Sequence, residues 1–181
     1  SDYQKIKDEY LTNTNVVPAR WNKIFKKDVA IKALEYYDDN ATVAEDLLYT
    51  SVSLFNANSL YYLKAPLVKY YQNGSSMTHK FKENHFDSYK IVYKQLDKFF
   101  EGGRVSDLAF FQNVKTLVQN IILSDLTTKE KKKQLERVRT DKEFYKLNKR
   151  FKPTGIKDKI LKRLIEKGRY NLLKILTKIN N

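Results

Sequence analysis

The sequence contains no cysteine and has little histidine, tryptophan, proline or glycine. Without cysteine there is no disulfide framework, no thiolate zinc site and no cysteine nucleophile. Two histidines, His79 and His85, are too few for a metal site built from imidazoles. No signal peptide is visible, and no apolar run approaches the roughly 20 residues that a membrane-spanning helix needs. These absences exclude thiol chemistry and a histidine-rich metal centre, and they fit a cytoplasmic protein.

What is present is a folding composition with an uneven charge. The chain has 181 residues, 41% of them hydrophobic and 13% aromatic, enough for one medium-sized domain. The net charge is +14, but residues 1–125 carry 16 basic against 15 acidic side chains. Residues 126–181 carry 19 basic against 6 acidic side chains, a net of +13. The last third therefore faces, or at least tolerates, an anionic partner.

Hydrophobic spacing predicts a mainly α-helical fold with a small β element. From about residue 84 onward, apolar residues recur at helical spacing, with breaks at Gly102-Gly103 and at Pro153–Gly155. Thr127 or Thr128 is predicted to cap a charged helix. Residues 59–72 are rich in Tyr, Leu and Val, and they predict two short strands around a turn. After Gly155 one last helix is expected. Its predicted apolar stripe comprises Ile156, Ile160, Leu164, Leu172, Ile175, Leu176 and Ile179.

Two adjacent carboxylates, Glu45 and Asp46, stand at the start of an apolar helical run. The residues Thr42 to Glu45 fit the capping box S/T-x-x-E, so Glu45 can be a purely structural helix cap. A carboxylate at a helix N-terminus also keeps its negative charge, which suits a general base. Both interpretations hold together if Glu45 caps the helix while Asp46 points into a cleft.

Three segments carry a resemblance when taken in order. They are residues 20–27 (RWNKIFKK), residues 44–50 (AEDLLYT) and residues 70–81 (YYQNGSSMTHKF). Together they resemble the C-terminal half of the inverting glycosyltransferases of family 2, which have the GT-A fold. The resemblance covers roughly residues 15–85, under half of the chain, and its order and spacing are more specific than any one segment.

The resemblance implies a set of roles. Asp46 would be the general base that takes the proton of an acceptor-sugar hydroxyl, with Glu45 as its neighbour. Trp21, Asn22 and Lys23 would lie on the acceptor side, where an aromatic face stacks on sugar C–H groups. Half-buried anchoring of Trp21 and simple exposure of Lys23 are the competing interpretations.

The resemblance also implies a donor site. Ser75 and Ser76 would donate hydrogen bonds to the diphosphate of the nucleotide sugar. Gln72 and Asn73 stand where the family often has a basic residue, a departure that weakens this contact. Mn²⁺ or Mg²⁺ is implied as cofactor, its main ligands lying upstream of this chain. His79 is a candidate further ligand, against the alternative of a surface loop histidine.

The implied organisation is an acceptor-side part of a GT-A domain in residues 1–83 and a helical extension in residues 84–181, strongly basic from about residue 126. No phosphate-cradling Gly-rich turn precedes residue 15, so the nucleotide-binding half is expected to lie outside this chain. The parent enzyme would transfer a sugar from a nucleotide donor to a glycan or lipid-linked acceptor. This chain alone is expected to be inactive. An apolar face left uncovered would allow self-association.

The basic tail leaves several partners open. An amphipathic segment over residues 156–180 would suit an anionic membrane surface, which would place the protein at the inner face of the membrane. A solvated helix face is the alternative. Nucleic acid is disfavoured because the aromatic residues are concentrated in the neutral first part of the chain. A non-catalytic helical module that binds protein, membrane or nucleic acid remains the alternative function.

Overall fold

A computed structural model of the chain describes residue 7, residues 18–69, residue 71 and residues 81–179. Within these ranges the chain forms eight α-helices and one short 3₁₀-helix, without any β-strand. The mainly α-helical prediction is therefore confirmed. The helices are η1 (Arg20–Asn22), α1 (Lys27–Leu34), α2 (Glu45–Asn56), α3 (His85–Phe99), α4 (Arg104–Leu123), α5 (Thr128–Thr140), α6 (Lys142–Arg150), α7 (Ile156–Glu166) and α8 (Tyr170–Ile179).

The larger of two apolar clusters contains side chains from each of the helices α3 through α8. Phe110 and Phe111 on α4 and Phe144 and Leu147 on α6 are completely inaccessible to solvent. The ring of Tyr93 stacks on that of Phe110 with centroids 4.5 Å apart. The predicted breaks at Gly102-Gly103 and Pro153–Gly155 separate helices as expected. Burial of this aromatic and aliphatic surface is the main stabilising contribution to the fold.

A smaller apolar cluster joins α1, α2 and one side of α3. Ala33, Leu48 and Val52 pack there against Val92 and Leu96 of α3. Helix α3 thus contributes buried side chains to both clusters and lies between them. The smaller cluster is the support on which the segment around Glu45 and Asp46 rests.

The capping box predicted at Thr42 is not formed. Helix α2 begins at Glu45, and its N-cap residue Ala44 has φ 63° with no side-chain cap hydrogen bond. The hydroxyl of Thr42 lies 3.1 Å from the hydroxyl of Ser88 on α3, and the Ser88 hydroxyl oxygen also accepts the Thr42 N–H. The Thr42 hydroxyl, which the local pattern assigned to the helix cap, therefore makes a tertiary contact with Ser88 instead.

The cap predicted for α5 is confirmed. The Thr127 hydroxyl accepts the Glu130 N–H at 3.3 Å, and the Glu130 carboxylate accepts the Thr127 N–H at 2.8 Å. This is the reciprocal pairing of a capping box, and it satisfies two donors that the first turn of a helix leaves unpaired.

The two strands predicted within residues 59–72 are wrong for the part that the structure describes. Residues 57–69 have no regular secondary structure, and the side chains of residues 58–69 are exposed. Two short backbone hydrogen bonds, Ala65 to Leu63 and Leu67 to Ala65, are the only ones that the described residues 58–69 make with backbone atoms. The composition favours strands, but a strand needs a partner for its ladder, and the described residues provide none.

The single last helix predicted after Gly155 is divided in two. Gly168, with φ 60°, lies in the turn between α7 and α8. The predicted apolar stripe is divided as well. Its members Ile156, Ile160, Leu172 and Ile175 are exposed, whereas Leu164 and Leu176 pack partly against the core. Turning the chain at Gly168 lets each short helix bury its own inner residues, among them Leu161, Ile165 and Leu173.

A polar network ties α3, α4 and α6 together beside the larger cluster. The Arg150 guanidinium donates to both oxygens of Asp107, at 2.7 and 2.6 Å, and to Asp97 at 2.6 Å. It also donates to the Tyr93 hydroxyl at 2.9 Å, and Ser106 donates to Asp97 at 2.8 Å. Asp107 is 2% exposed, so this buried carboxylate depends on Arg150 for its counter-charge.

Candidate functional site

The short helix η1 brings the Arg20–Lys23 segment against the first turn of α2, which carries Glu45 and Asp46. The Arg20 Nε donates a hydrogen bond to Asp46 Oδ1, and the Arg20 backbone N–H donates to Asp46 Oδ2 at 3.4 Å. A guanidinium nitrogen of Arg20 lies 3.8 Å from Glu45 Oε1. Two of the three segments that carry the family resemblance are therefore in direct contact.

The charges at this contact are complementary and partly shielded. The Arg20, Glu45 and Asp46 side chains are 40%, 27% and 34% exposed. Burial lowers the pKa of Arg20, but the hydrogen bond and charge of Asp46, together with Glu45, outweigh it and raise the pKa above its ordinary value. Arg20 is therefore a permanent cation facing both carboxylates.

Three contacts hold the Arg20 segment on α2. The Thr50 hydroxyl, buried on α2, donates to the Pro18 carbonyl at 2.6 Å. The Arg20 guanidinium lies 5.5 Å from the centroid of the Tyr49 ring, and the Phe25 ring meets Tyr49 edge-on at 5.3 Å. The Arg20–Asp46 geometry is thus supported by packing on both sides rather than by one ion pair alone.

The residues predicted for the acceptor side follow directly on Arg20, which contacts the carboxylates. Trp21 is 49% exposed, and Asn22 is exposed beside it. The Lys23 ammonium donates to the Ala19 carbonyl at 2.9 Å and to the Asn22 side-chain oxygen at 2.7 Å. Burial lowers the pKa of Lys23, and the charge of Asp46 opposes this. Lys23 therefore helps to hold the turn of η1, whereas Trp21 presents aromatic surface to solvent.

Asp46 has hydrogen-bonding capacity left for a ligand. A carboxylate has about four lone-pair positions, and the described residues direct two N–H groups at Asp46. The contact to Oδ2 is long at 3.4 Å, which leaves that oxygen the more available acceptor. Asp46 also lies in the first turn of α2, where the helix dipole favours a negative charge. The arrangement can hold a carboxylate in a fixed orientation with one oxygen open to a hydroxyl donor.

The predicted donor and metal residues cannot be placed beside this site. Ser75, Ser76 and His79 lie outside the described residues. Within the described ranges, no three His, Asp or Glu side chains come together in a way that could hold a metal ion. The described residues therefore do not form a divalent-cation site.

Arg20 is the site residue that sequence reasoning missed. It precedes Trp21 directly and was visible as part of the RWNK segment, but nothing local indicates that its partner is 26 positions away. The signal that could have found it is chemical: an arginine in one segment and an adjacent pair of carboxylates in another are complementary.

Comparison with models of protein families, with curated proteins and with solved structures finds no match for this chain. No helix among the described residues is long and apolar enough to cross a membrane.

Proposed function

We propose that this chain is the acceptor-side, general-base part of an inverting glycosyltransferase of the GT-A type. The observation that carries the proposal is the contact of Arg20 with Asp46 and Glu45. It joins two sequence segments that resemble neighbouring parts of such an enzyme. It also fixes the Asp46 carboxylate against Arg20, the residue that directly precedes the half-exposed Trp21.

In the proposed reaction, Asp46 accepts the proton of an acceptor-sugar hydroxyl as that oxygen forms a bond to the anomeric carbon of the donor. The bond from the anomeric carbon to the nucleotide diphosphate breaks on the opposite face, and the diphosphate leaves with the electron pair. A hydroxyl needs a base within hydrogen-bond reach to become a competent nucleophile. Arg20 positions that base, and Trp21 offers a face on which a sugar ring can stack.

The donor and the cation lie outside what the described residues supply. The resemblance implies Mn²⁺ or Mg²⁺, held by residues upstream, with Ser75 and Ser76 near the diphosphate. The acceptor is a glycan or a lipid-linked sugar. The transfer therefore requires the nucleotide-binding half of the enzyme in addition to this chain.

The experiment is a nucleotide-release assay on the longest native form of the protein that contains this chain. A panel of nucleotide sugars with Mn²⁺ is tested with the wild type, with Asp46→Asn and with Asp28→Asn. Asp28 is the matched control because it is an exposed acid in the first turn of the neighbouring helix α1. Loss of a general base lowers the rate about a hundredfold or more.

Sugar-dependent release that collapses in Asp46→Asn and survives in Asp28→Asn supports the proposal. Full activity in Asp46→Asn would contradict the proposal and show that Glu45 and Asp46 have only a structural role, at the start of α2. Absence of release with every donor would favour the alternative function, a helical binding module.

A further inference from the structure

The outer face of α7 carries aliphatic side chains that are exposed to solvent. Ile156 is 76% exposed and Ile160 is 47% exposed, one helical turn apart. Leu161 and Ile165, on the opposite side of the same helix, are buried in the larger cluster. Helix α7 therefore has two apolar faces, of which the core covers only one.

The outer face of α8 repeats this arrangement. Leu172 is 51% exposed and Ile175 is 56% exposed, whereas Leu173 and Thr177 are buried. Scattered single apolar residues on a surface are ordinary. Here pairs of them recur on two consecutive helices that are joined by the turn at Gly168.

The segment that contains these two helices carries unbalanced positive charge. Exposed basic residues of the segment are Lys157, Lys159, Arg163, Lys167, Arg169 and Lys174. Among the described residues, none of these six cations has an ion-pair partner. The two carboxylates of the segment are neutralised by lysines: Asp158 lies 3.0 Å from Lys115, and Glu166 lies 3.5 Å from Lys162.

A groove continues the positive surface towards α5. It has a volume of about 710 Å³ and is lined by Lys132, Lys133 and Arg169, among others. The Lys132 ammonium lies 5.7 Å from the centroid of the Tyr170 ring at the start of α8. The lining also includes the carboxylate of Glu136 and the exposed Leu172, and the groove is large enough to admit a phosphate-bearing head group.

We propose that the outer faces of α7 and α8 dock on an anionic lipid bilayer, with the four aliphatic side chains inserted between head groups and flanking cations such as Lys159 and Arg163 pairing with acidic lipids. An amphipathic helix binds at the interface through buried apolar area and attraction to anionic lipid together. The surface supplies both. This inference does not depend on the proposed glycosyl transfer.

Two other occupants fit the surface less well. A nucleic acid would engage the cations but leave the four aliphatic side chains without a partner, and the aromatic residues on which single strands stack are absent from the exposed large side chains that the structure describes on these two faces. A second copy of the chain would bring one unbalanced positive face against another, and like charges repel.

The test is sedimentation of the full chain with vesicles, which needs no turnover and so can fail independently of the glycosyltransferase assay. Vesicles of phosphatidylcholine alone are compared with vesicles of phosphatidylcholine and phosphatidylserine in equal amounts. We expect binding to the mixed vesicles and little to the neutral ones. Each basic residue near an anionic leaflet strengthens binding about fivefold, so the double variant Lys159→Glu/Arg163→Glu should lose about a hundredfold or more.

The aliphatic contribution is tested by Ile156→Gln/Ile160→Gln, which should weaken binding about tenfold. Ile31→Gln/Leu34→Gln is the matched control, because these residues of α1 are 50% and 55% exposed and lie outside the basic third. Lys26→Glu/Lys27→Glu is the charge-matched control, since both lysines are exposed at the start of α1. Circular dichroism of every variant verifies that it is folded.

Loss in both α7 variants with retention in both controls supports the docking surface. Equal loss in the control variants would overturn it, because the response would then follow net charge or general stickiness. Absence of vesicle binding, or steeply salt-dependent binding to DNA or RNA without vesicle binding, would also overturn it.

Discussion

Arg20 and Asp46 lie 26 positions apart in the sequence, and the backbone N–H and the guanidinium of Arg20 donate to the two different oxygens of the Asp46 carboxylate. This pairing fixes the carboxylate plane relative to η1. A lysine at position 20 would keep the backbone donor, but its freely rotating ammonium would replace the rigidly oriented Nε–H of the planar guanidinium. The role of Arg20 in the proposed chemistry is therefore to position the base rather than to contact the substrate.

Substitution of Arg20 should separate positioning from folding. Because the pair is partly exposed, we expect Arg20→Ala to lower the free energy of unfolding by no more than about 1 kcal/mol. In the nucleotide-release assay kcat should fall about a hundredfold, with KM for the nucleotide sugar nearly unchanged. Arg20→Lys should recover only part of kcat. The matched control is Arg139→Lys, whose partner Glu136 is exposed. An unchanged kcat in Arg20→Ala would contradict the positioning role.

The Arg150 network should be far more important for stability. Arg150→Met leaves the 2%-exposed carboxylate of Asp107 without a counter-charge, so the free energy of unfolding should fall by about 3 kcal/mol. Arg139→Met removes an exposed ion pair and should cost less than about 1 kcal/mol. Urea denaturation followed by circular dichroism measures both. In the double variant Arg150→Met/Asp107→Asn, part of the lost free energy of unfolding should be recovered, because no buried charge is left unpaired. If the double variant loses the sum of what Arg150→Met and Asp107→Asn lose separately, Arg150 and Asp107 are not coupled.

His85 should make stability depend on pH below neutrality. The ring is 1% exposed, and neither nitrogen has a hydrogen-bond partner among the described residues. Burial, and then the charge of Lys82, lower the pKa of His85. Below about pH 6.5 the unfolded chain binds a proton that the folded chain refuses, so stability falls as pH falls, by up to about 1.4 kcal/mol per pH unit until the folded pKa is reached. Above that window His85 contributes no pH dependence.

The measurement is the free energy of unfolding from pH 8 to pH 5 in wild type and in His85→Phe, with the difference isolating His85 from the carboxylates. An apolar ring of similar shape leaves no unsatisfied nitrogen, so the variant should be at least as stable at pH 7 and less sensitive to acid. Parallel curves for the two proteins would show that His85 does not titrate differently on folding.

Replacing Glu101 by glycine should make the folded protein more stable. It has φ 52° just beyond the end of α3, a left-handed conformation that costs a residue with a side chain about 1–2 kcal/mol. After subtraction of the greater flexibility of glycine in the unfolded chain, Glu101→Gly should stabilise the protein by about 0.5–1 kcal/mol. Glu35 ends α1 with φ −61°, so Glu35→Gly should destabilise by a similar amount. In thermal unfolding, the melting temperature should rise for Glu101→Gly and fall for Glu35→Gly, relative to the wild type.

The sequence predicts well what local spacing determines. The apolar positions of α3 and α4, the glycine break between them and the Thr127 capping box are all properties of a few consecutive residues. The failures are tertiary. Thr42 has the cap pattern, yet its hydroxyl pairs with Ser88, 46 positions away. Such a contact exists only once α3 packs beside α2, and no window of local sequence contains it.

The candidate site shows the same division. The resemblance assigned Trp21–Lys23 and the Glu45–Asp46 pair to the same acceptor side, but it did not indicate which residues touch. The residue that makes the contact, Arg20, was missed because its partner is distant in sequence. The last helix was misjudged for a different reason: at Gly168 the chain turns, and this turn changes which apolar residues face the core.

The exposed segment of residues 60–69, with the exposed Tyr71 beyond it, affects how the protein behaves at high concentration. It is a β-prone, uncovered stretch of the kind that joins other copies in cross-β aggregates. Lys64 and Pro66 divide it in the middle, and Lys69 interrupts it again before Tyr71. Charges and proline at such positions act as gatekeepers against aggregation. These three residues therefore protect an apolar segment that no described neighbour covers. Replacing them by apolar residues should lower the solubility of the protein.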